Sequence, residues 1–374
     1  MPLPPLVEPV EKLSDTERAR TARHLSLAGL GEDGQRRLAA AHVAVVGAGG
    51  LGSPVVLALA AAGIGTLTVI DDDVVDLSNL QRQVLHRRQD AGLPKVESAV
   101  RAASALSDTR VVPVRARLDE QNAVALLSAA HLVIDGSDLF QTREAVAAAA
   151  ERLGVPLVWG TVQEFDAQVT VFWNAPPTGE GVRLSDLYPA GSVGAVPTCA
   201  DVGVLGALCL QVGSLMALEA IKLICGIGEP LLGRVLVVDA LRARQVEVPL
   251  RGAPSGVVPA GGSQRGGTSA LSNRPPQTES AHPITAVGPS ALGDTLVIDV
   301  REAHEVATGM IPGARHLPLA ELLADPGAIS GPVVIVCQTA VRSRRAAEAL
   351  RAAGVEASIL AGGMESWTAA RTTQ

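Results

Sequence analysis

The chain of 374 residues is 47% hydrophobic and 18% charged, which is enough apolar content for a sizeable core and excludes a disordered chain. Its length fits two domains, or one large domain and one small. Aromatic residues make up only 2% and the formal net charge is -7, so neither a base-stacking nucleic-acid surface nor a broad phosphate-binding face is expected.

The first twenty residues contain no apolar signal core, so secretion is not expected and a cytoplasmic location is. The four cysteines, Cys199, Cys209, Cys225 and Cys337, form no CxxC pair. They read as reduced thiols, not as a disulfide framework or a zinc set.

A first block spans about residues 20–250. His42–Gly47 is a β-branched run ending in glycine. A helix pattern follows, with Pro54 in its first turn and Gly63 at its end, and then the β-rich run Thr66–Asp71. Strand, glycine-rich turn, helix and strand make a right-handed βαβ unit. Arg110–Val114, Leu132–Asp135 and Pro156–Trp159 are further strand candidates with alanine-rich helical patterns between them. This alternation predicts an α/β fold with a mostly parallel sheet covered by helices. Gln168–Phe172 and Arg234–Val238 extend it, as antiparallel additions. Two uncharged runs, Ala41–Ile70 and Val202–Leu218, invite a membrane reading. The first is broken by glycines and Pro54. The second is just short of a span and is followed at once by Glu219 and Lys222, so both are assigned to buried core.

Residues 251–282 are rich in Gly, Pro and Ser without apolar periodicity, the pattern of a flexible linker. A second, small α/β block occupies about 283–372, with strands at Thr295–Asp299, Pro332–Val336 and Ala357–Leu360. No internal repeat is present.

Gly47, Gly49, Gly50 and Gly52 lie between a strand and a helix, where glycine allows close backbone approach to phosphate and the helix N-terminus favours its charge. Asp71 ends the following strand, where a carboxylate can take a ribose hydroxyl. Alone, this fits NAD or FAD as well as ATP. Arg82 and Lys95 supply two cations for phosphates, and Asp138 a carboxylate for Mg²⁺, a set suited to ATP chemistry.

With these residues, the motifs Gly47–Gly52, Leu77–Gln83, Gly92–Ser98, Pro197–Gly206 and Glu219–Gly226 resemble the adenylyltransferases of the molybdopterin-synthase and thiamine sulfur-carrier pathways, bacterial relatives of ubiquitin-activating enzymes. The resemblance implies a Rossmann-like ATP-binding domain. Its glycines lie under ATP, Asp71 holds the ribose, Asn79, Arg82 and Lys95 contact phosphates, and Asp138 binds Mg²⁺. It also implies that Arg23 enters the neighbouring subunit's site, hence a homodimer. Thr21, Ala22 and Leu139 stand where the family usually has Tyr, Asn and Asn. Many relatives hold a structural zinc with two CxxC pairs, whereas Val182–Tyr188 and Arg251–Pro254 contain no cysteine, so zinc is expected to be absent. Cys199 matches a cysteine on a mobile crossover loop and is a candidate for a covalent intermediate, against the alternative of a small buried residue. Cys209 and Cys225 read as core.

In the second block, Leu296–Glu302, Gly309–Ala314 and Ala361–Trp367 resemble the rhodanese family, with Met310 at a position where histidine is expected. Between a strand and an arginine-rich helix lies the loop Cys337, Gln338, Thr339, Ala340, Val341 and Arg342. Such a loop can aim backbone N–H groups and a helix N-terminus at one sulfur and favour its thiolate. Arg342 adds charge for an anionic donor such as thiosulfate. Phosphatases use a similar cysteine–arginine loop, and the flanking motifs favour rhodanese.

The expected function is ATP-dependent adenylation of the C-terminal glycine of a ubiquitin-like sulfur carrier ending in Gly-Gly. A Cys337 persulfide, charged by a cysteine desulfurase or thiosulfate, then gives a thiocarboxylate. The rivals are ATP-dependent activation of a tRNA-borne carboxylate for dehydration, an NAD-dependent oxidoreductase, and a scaffold that binds carriers without chemistry. No membrane or nucleic-acid partner is expected.

Overall fold

A computed structural model describes residues 3–189, 203–252, 284–289, 292–293, 295–307, 309–338 and 340–372. The chain divides into two compact units, Met1–Val257 and Val258–Gln374. Most of the stretch read as a linker, and Cys199 with its loop, lie outside the described residues.

The first unit is built on eight strands: β1 (His42–Val46), β2 (Thr66–Ile70), β3 (Arg110–Val114), β4 (Leu132–Asp135), β5 (Leu157–Gln163), β6 (Asp166–Phe172), β7 (Arg234–Asp239) and β8 (Arg244–Pro249). They form one sheet in the order β3-β2-β1-β4-β5-β6-β7-β8. β1 to β5 pair in parallel, and β6, β7 and β8 continue the sheet antiparallel. The expected strands are all present, and β6 and β7 are antiparallel additions as read. β8 was not anticipated. Its Arg-Gln-Val-Glu-Val-Pro sequence is mostly exposed at the sheet edge, so it lacks the apolar run that marks a buried strand.

β1, β2 and β4 are apolar on both faces because helices cover both. The helix Gly52–Ala62 is apolar along its length and packs on β1 and against the helix Gly206–Cys225, which itself lies on β4 to β6. The two helices approach closely at Gly213, where an added Cβ would come 2.3 Å from Pro54 Cγ. Gly206–Cys225 is long and apolar enough to cross a membrane. Here its Leu208, Val212, Met216 and Leu223 are buried in the core against the sheet. Its charged end is also accommodated inside: Glu219 is 3% exposed, pairs with Lys222 and accepts a bond from Leu231 N–H at 2.8 Å.

The second unit holds five strands: β9 (Ala286–Val287), β10 (Leu296–Asp299), β11 (Arg315–His316), β12 (Val333–Val336) and β13 (Ala357–Leu360). They make a parallel sheet in the order β11-β10-β12-β13-β9. Its core is formed by Ile298, Leu322, Val333, Ile335, Leu350 and Ile359. The helix Val341–Ala352 packs on this sheet and takes in Val341 and Arg342, the last two residues of the stretch read as the Cys337 loop.

Candidate functional site

β2 lies on one side of β1 and β4 on the other, so the chain reverses direction across the sheet at the carboxyl end of β1. Open α/β sheets form ligand crevices at such a switch point. A cleft does open there. Of the residues singled out from sequence, it is lined by Gly47, Gly49, Gly50, Asp71, Arg82, Lys95 and Asp138.

The glycines are needed for different reasons. Gly47 has φ 87° and its absent Cβ would lie 3.0 Å from Gly136 O, so the loops after β1 and β4 touch backbone to backbone. A Cβ on Gly52 would lie 1.8 Å from Gly47 O, so the loop can close onto the first turn of its helix only with glycine there. Gly52 therefore shapes the loop from beneath, while Gly49 and Gly50 face the cleft.

Asp71 accepts from Ala48 N–H at 2.7 Å and from Asp73 N–H at 2.9 Å. Burial pushes its carboxyl up, and Lys95 and the two N–H groups oppose that. Lys95 is 5% exposed and donates to Asp73 at 2.7 Å. Arg82 is half-buried and donates to Ser78 O at 3.2 Å. Asp138 is exposed in the loop after β4. Asp71, Asp72 and Asp73 also bring carboxylate oxygens within 4.8 Å of one another. All these donors are hard oxygens of the kind that suits Mg²⁺.

Besides Gly52, two of the expected nucleotide-site residues, Asn79 and Arg23, lie outside the cleft lining. Asn79 ends the short 3-10 turn Leu77–Asn79, and its side-chain oxygen accepts from Asp76 N–H at 3.1 Å, so it caps that turn. Arg23 is exposed on the helix Ala22–Leu25. Cys209 is 3% exposed, as expected of core, yet it also lines the cleft. A Cβ on Gly50 would come 3.1 Å from its sulfur. Cys225 is core: its thiol donates to Gly34 O at 3.5 Å, and burial pushes it up to about 12.

Several residues around the cleft escaped sequence reasoning. Arg143 is 8% exposed, donates twice to Ser137 O at 2.9 and 3.2 Å, and stacks 5.5 Å from the Trp159 ring. It thereby holds the loop that presents Asp138. Asp135, fully buried, accepts from Ser137 N–H at 2.9 Å and from its hydroxyl at 2.6 Å; burial pushes its carboxyl up. Gln83 and His86 are buried beside the glycine loop. Arg143 follows Asp138 by about one helical turn and a half, a spacing that carries no special signal.

The two segments that lack cysteine lie close together: a Cβ on Gly252 would lie 3.6 Å from Asp186 Oδ2, and 2.2 Å from Gly181 O, just before the first of them. Nearby, Tyr188 packs edge-on against Phe140 and Trp159, with ring centroids 5.7 and 5.8 Å away.

In the second unit, Cys337 follows β12 and is 1% exposed. Ser343 N–H, in the first turn of the helix Val341–Ala352, points to its sulfur at 3.4 Å, and the thiol donates to Ser343 Oγ at 3.7 Å. This supplies the helix-start N–H expected of the loop, from a residue one position beyond the stretch singled out. Thr339 lies outside the described residues. Ala340 takes φ 73°, a left-handed conformation costly for a residue with a Cβ. Arg342 forms a two-pronged ion pair with Glu305, both bonds 2.6 Å, so its charge is balanced within the unit. Buried Arg301 pairs with Asp299 at 2.8 Å and reaches Gln338 Oε1 at 3.5 Å, tying the loop to β10. Gly363 has φ 61°, and a Cβ there would lie 2.4 Å from Cys337 O.

Residues 21–255 match the model of the ThiF family, and residues 288–370 that of the rhodanese-like domain. The chain is 42% identical to the probable adenylyltransferase/sulfurtransferase MoeZ of Mycobacterium tuberculosis, over 98% of this chain and 96% of that one. It is 38% identical to the molybdopterin-synthase adenylyltransferase of Escherichia coli, over 64% of this chain and 95% of that one. The crystal structure of E. coli MccB with ATP shares the fold, with TM-score 0.55 and 20% identity over 65% of this chain and 74% of that one.

Proposed function

The chain belongs to the ThiF family and carries a rhodanese-like domain, and on that premise we propose that it adenylates the C-terminal glycine of a small ubiquitin-like sulfur carrier ending in Gly-Gly and converts the adenylate to a thiocarboxylate. The observation that carries this reading is the convergence of the glycine loop, Asp71, Arg82, Lys95 and Asp138 in one cleft.

In this reading ATP lies over Gly49 and Gly50, with Asp71 at the ribose. The glycine carboxylate attacks the α-phosphorus and pyrophosphate leaves. Arg82 and Lys95 stabilise the charge that grows on the leaving phosphates, and a preorganised cation in a partly dry cleft does so more strongly than one in water. Asp138 holds Mg²⁺, which neutralises phosphate charge when bound. Asp72 offers a further exposed oxygen beside the cleft, whereas Asp71 is assigned to the ribose and Asp73 is engaged by Lys95.

The Cys337 persulfide then attacks the acyl carbon. AMP leaves with the bonding electrons, and an acyl disulfide remains. A second thiol cleaves its S–S bond, releasing the carrier thiocarboxylate and leaving Cys337 in a disulfide with that thiol. Cys199 is the proposed candidate for holding the acyl group or supplying this thiol. The sulfur reaches Cys337 from a cysteine desulfurase or from thiosulfate. The working enzyme is taken to be a cytoplasmic homodimer in which Arg23, exposed on its own protomer, completes the partner's site. Zinc has no part in this reading, because Val182–Tyr188 and Arg251–Pro254 contain no cysteine to hold it.

The test is ATP–pyrophosphate exchange with a Gly-Gly carrier. Exchange should require the carrier's terminal glycine and should vanish in Asp138→Ala. Exchange that proceeds equally with a carrier lacking that glycine would sink the proposal.

A further inference from the structure

The peptide groups on either side of Ala48, inside the glycine loop, are pinned by side chains from three separate elements. The Ala48 N–H donates to Asp71 Oδ2 at 2.7 Å. The Ala48 carbonyl accepts from His86 Nε2 at 3.0 Å and from Ser53 Oγ at 3.2 Å. His86 is 6% exposed and Ser53 fully buried, so neither bond is exchanged with water. A carbonyl can only accept, which puts the imidazole proton on Nε2. Nδ1 is then a bare acceptor, buried without a partner. Burying that nitrogen has a cost, so the ring is not placed for packing alone.

In a trans peptide the N–H points opposite to the C=O. The N–H opposite the Ala48 carbonyl belongs to Gly49. Drawing this carbonyl inward to His86 and Ser53 turns the Gly49 N–H outward, and Gly49 lines the cleft. Backbone N–H groups aimed this way are what a glycine-rich loop offers to phosphate oxygens.

We propose that His86 is a positioning residue for nucleotide binding: as a neutral Nε2–H donor to Ala48 O it holds the Gly49 N–H toward the phosphates. The proposal rests on the reading that the cleft takes ATP. His86 touches no phosphate itself; it acts through one peptide group. Its loss should weaken what depends on phosphates and spare what depends on the nucleoside.

The experiment is calorimetric titration of the full chain with ATP and, separately, with adenosine. His86→Phe keeps the ring and removes the donor. ATP affinity should fall about tenfold or more, the worth of one well-aimed hydrogen bond to a charged group, with adenosine affinity changed by less than about twofold. His86→Gln, whose amide can donate from nearly the same place, should recover most of the loss. If His86→Phe does not fold, Ser53→Ala removes the other donor to the same carbonyl with little change of volume. It should weaken ATP by about two- to threefold and leave adenosine unchanged. Equal weakening of both ligands, or unchanged ATP affinity in a folded variant, would overturn the proposal. A wild-type chain that binds neither ligand would overturn the nucleotide reading and this proposal with it.

Discussion

Lys95 donates to Asp73 across 2.7 Å, with the lysine side chain 6% exposed and the aspartate side chain 65% exposed. The asymmetry matters. Lys95 has already lost its water in the fold, whereas Asp73 regains water whenever the pair opens. An incoming phosphate can therefore replace Asp73 without a new desolvation cost for the ammonium.

Lys95→Ala should lower kcat/KM for ATP–pyrophosphate exchange by about 10²–10³, the usual cost of removing one preorganised donor from a developing charge. Asp73→Asn should cost far less. Steady-state exchange kinetics at saturating carrier measure both, and a larger defect in Asp73→Asn would reverse the assigned roles.

Cys337→Ala should abolish thiosulfate–cyanide sulfur transfer while leaving ATP–pyrophosphate exchange at the wild-type rate, because the two chemistries rest on separate compact units. Loss of both activities in a folded variant would mean that the sites do not operate separately.

Ala340 sits at φ 73° in the sulfur loop, where an L-residue with a Cβ costs about 1–2 kcal/mol. Glycine removes that strain but adds freedom to the unfolded chain, which takes back about 0.4–1 kcal/mol. Ala340→Gly should therefore stabilise the second unit by roughly 0.5–1 kcal/mol, seen as a thermal midpoint a few degrees higher. A lower midpoint would show that the loop relies on the alanine methyl.

Burial pushes the His86 imidazole below its ordinary value of 6.5; Lys95 and Arg101 push the same way, against the Ala48 bond and Asp90. The folded chain thus keeps His86 neutral at a pH where the unfolded chain protonates it. Between those two values the unfolded state binds more protons, so stability falls as pH drops below about 6.5, by at most about 1.4 kcal/mol per pH unit for this group. Asp90 acts at lower pH. Burial alone would raise it, but Arg87 N–H and Arg101 hold it below its ordinary value. Its contribution is lost only as pH falls through that depressed value. Urea midpoints at pH 7.5, 6.5 and 5.5 should decline for the wild type and decline less for His86→Gln.

Sequence alone determined the βαβ pattern, the glycine loop, Asp71 and the Cys337 loop. Each is a short contiguous pattern whose chemistry follows from neighbours along the strand or turn. Arg82, Lys95 and Asp138 read as two cations for phosphates and a carboxylate for a metal, and the family resemblance gives their positions roles. Only the tertiary structure decided what these groups touch. His86 reaches Ala48 across 38 positions, Lys95 reaches Asp73 across 22, and Arg342 reaches Glu305 across 37. Such pairs are made by the order in which strands assemble into the sheet, and no local periodicity records that order. Asn79 shows the converse: an oxygen in reach of its own turn is taken by Asp76 N–H, three residues away. A polar side chain is claimed first by the nearest unsatisfied backbone group, and only the folded chain shows which group that is.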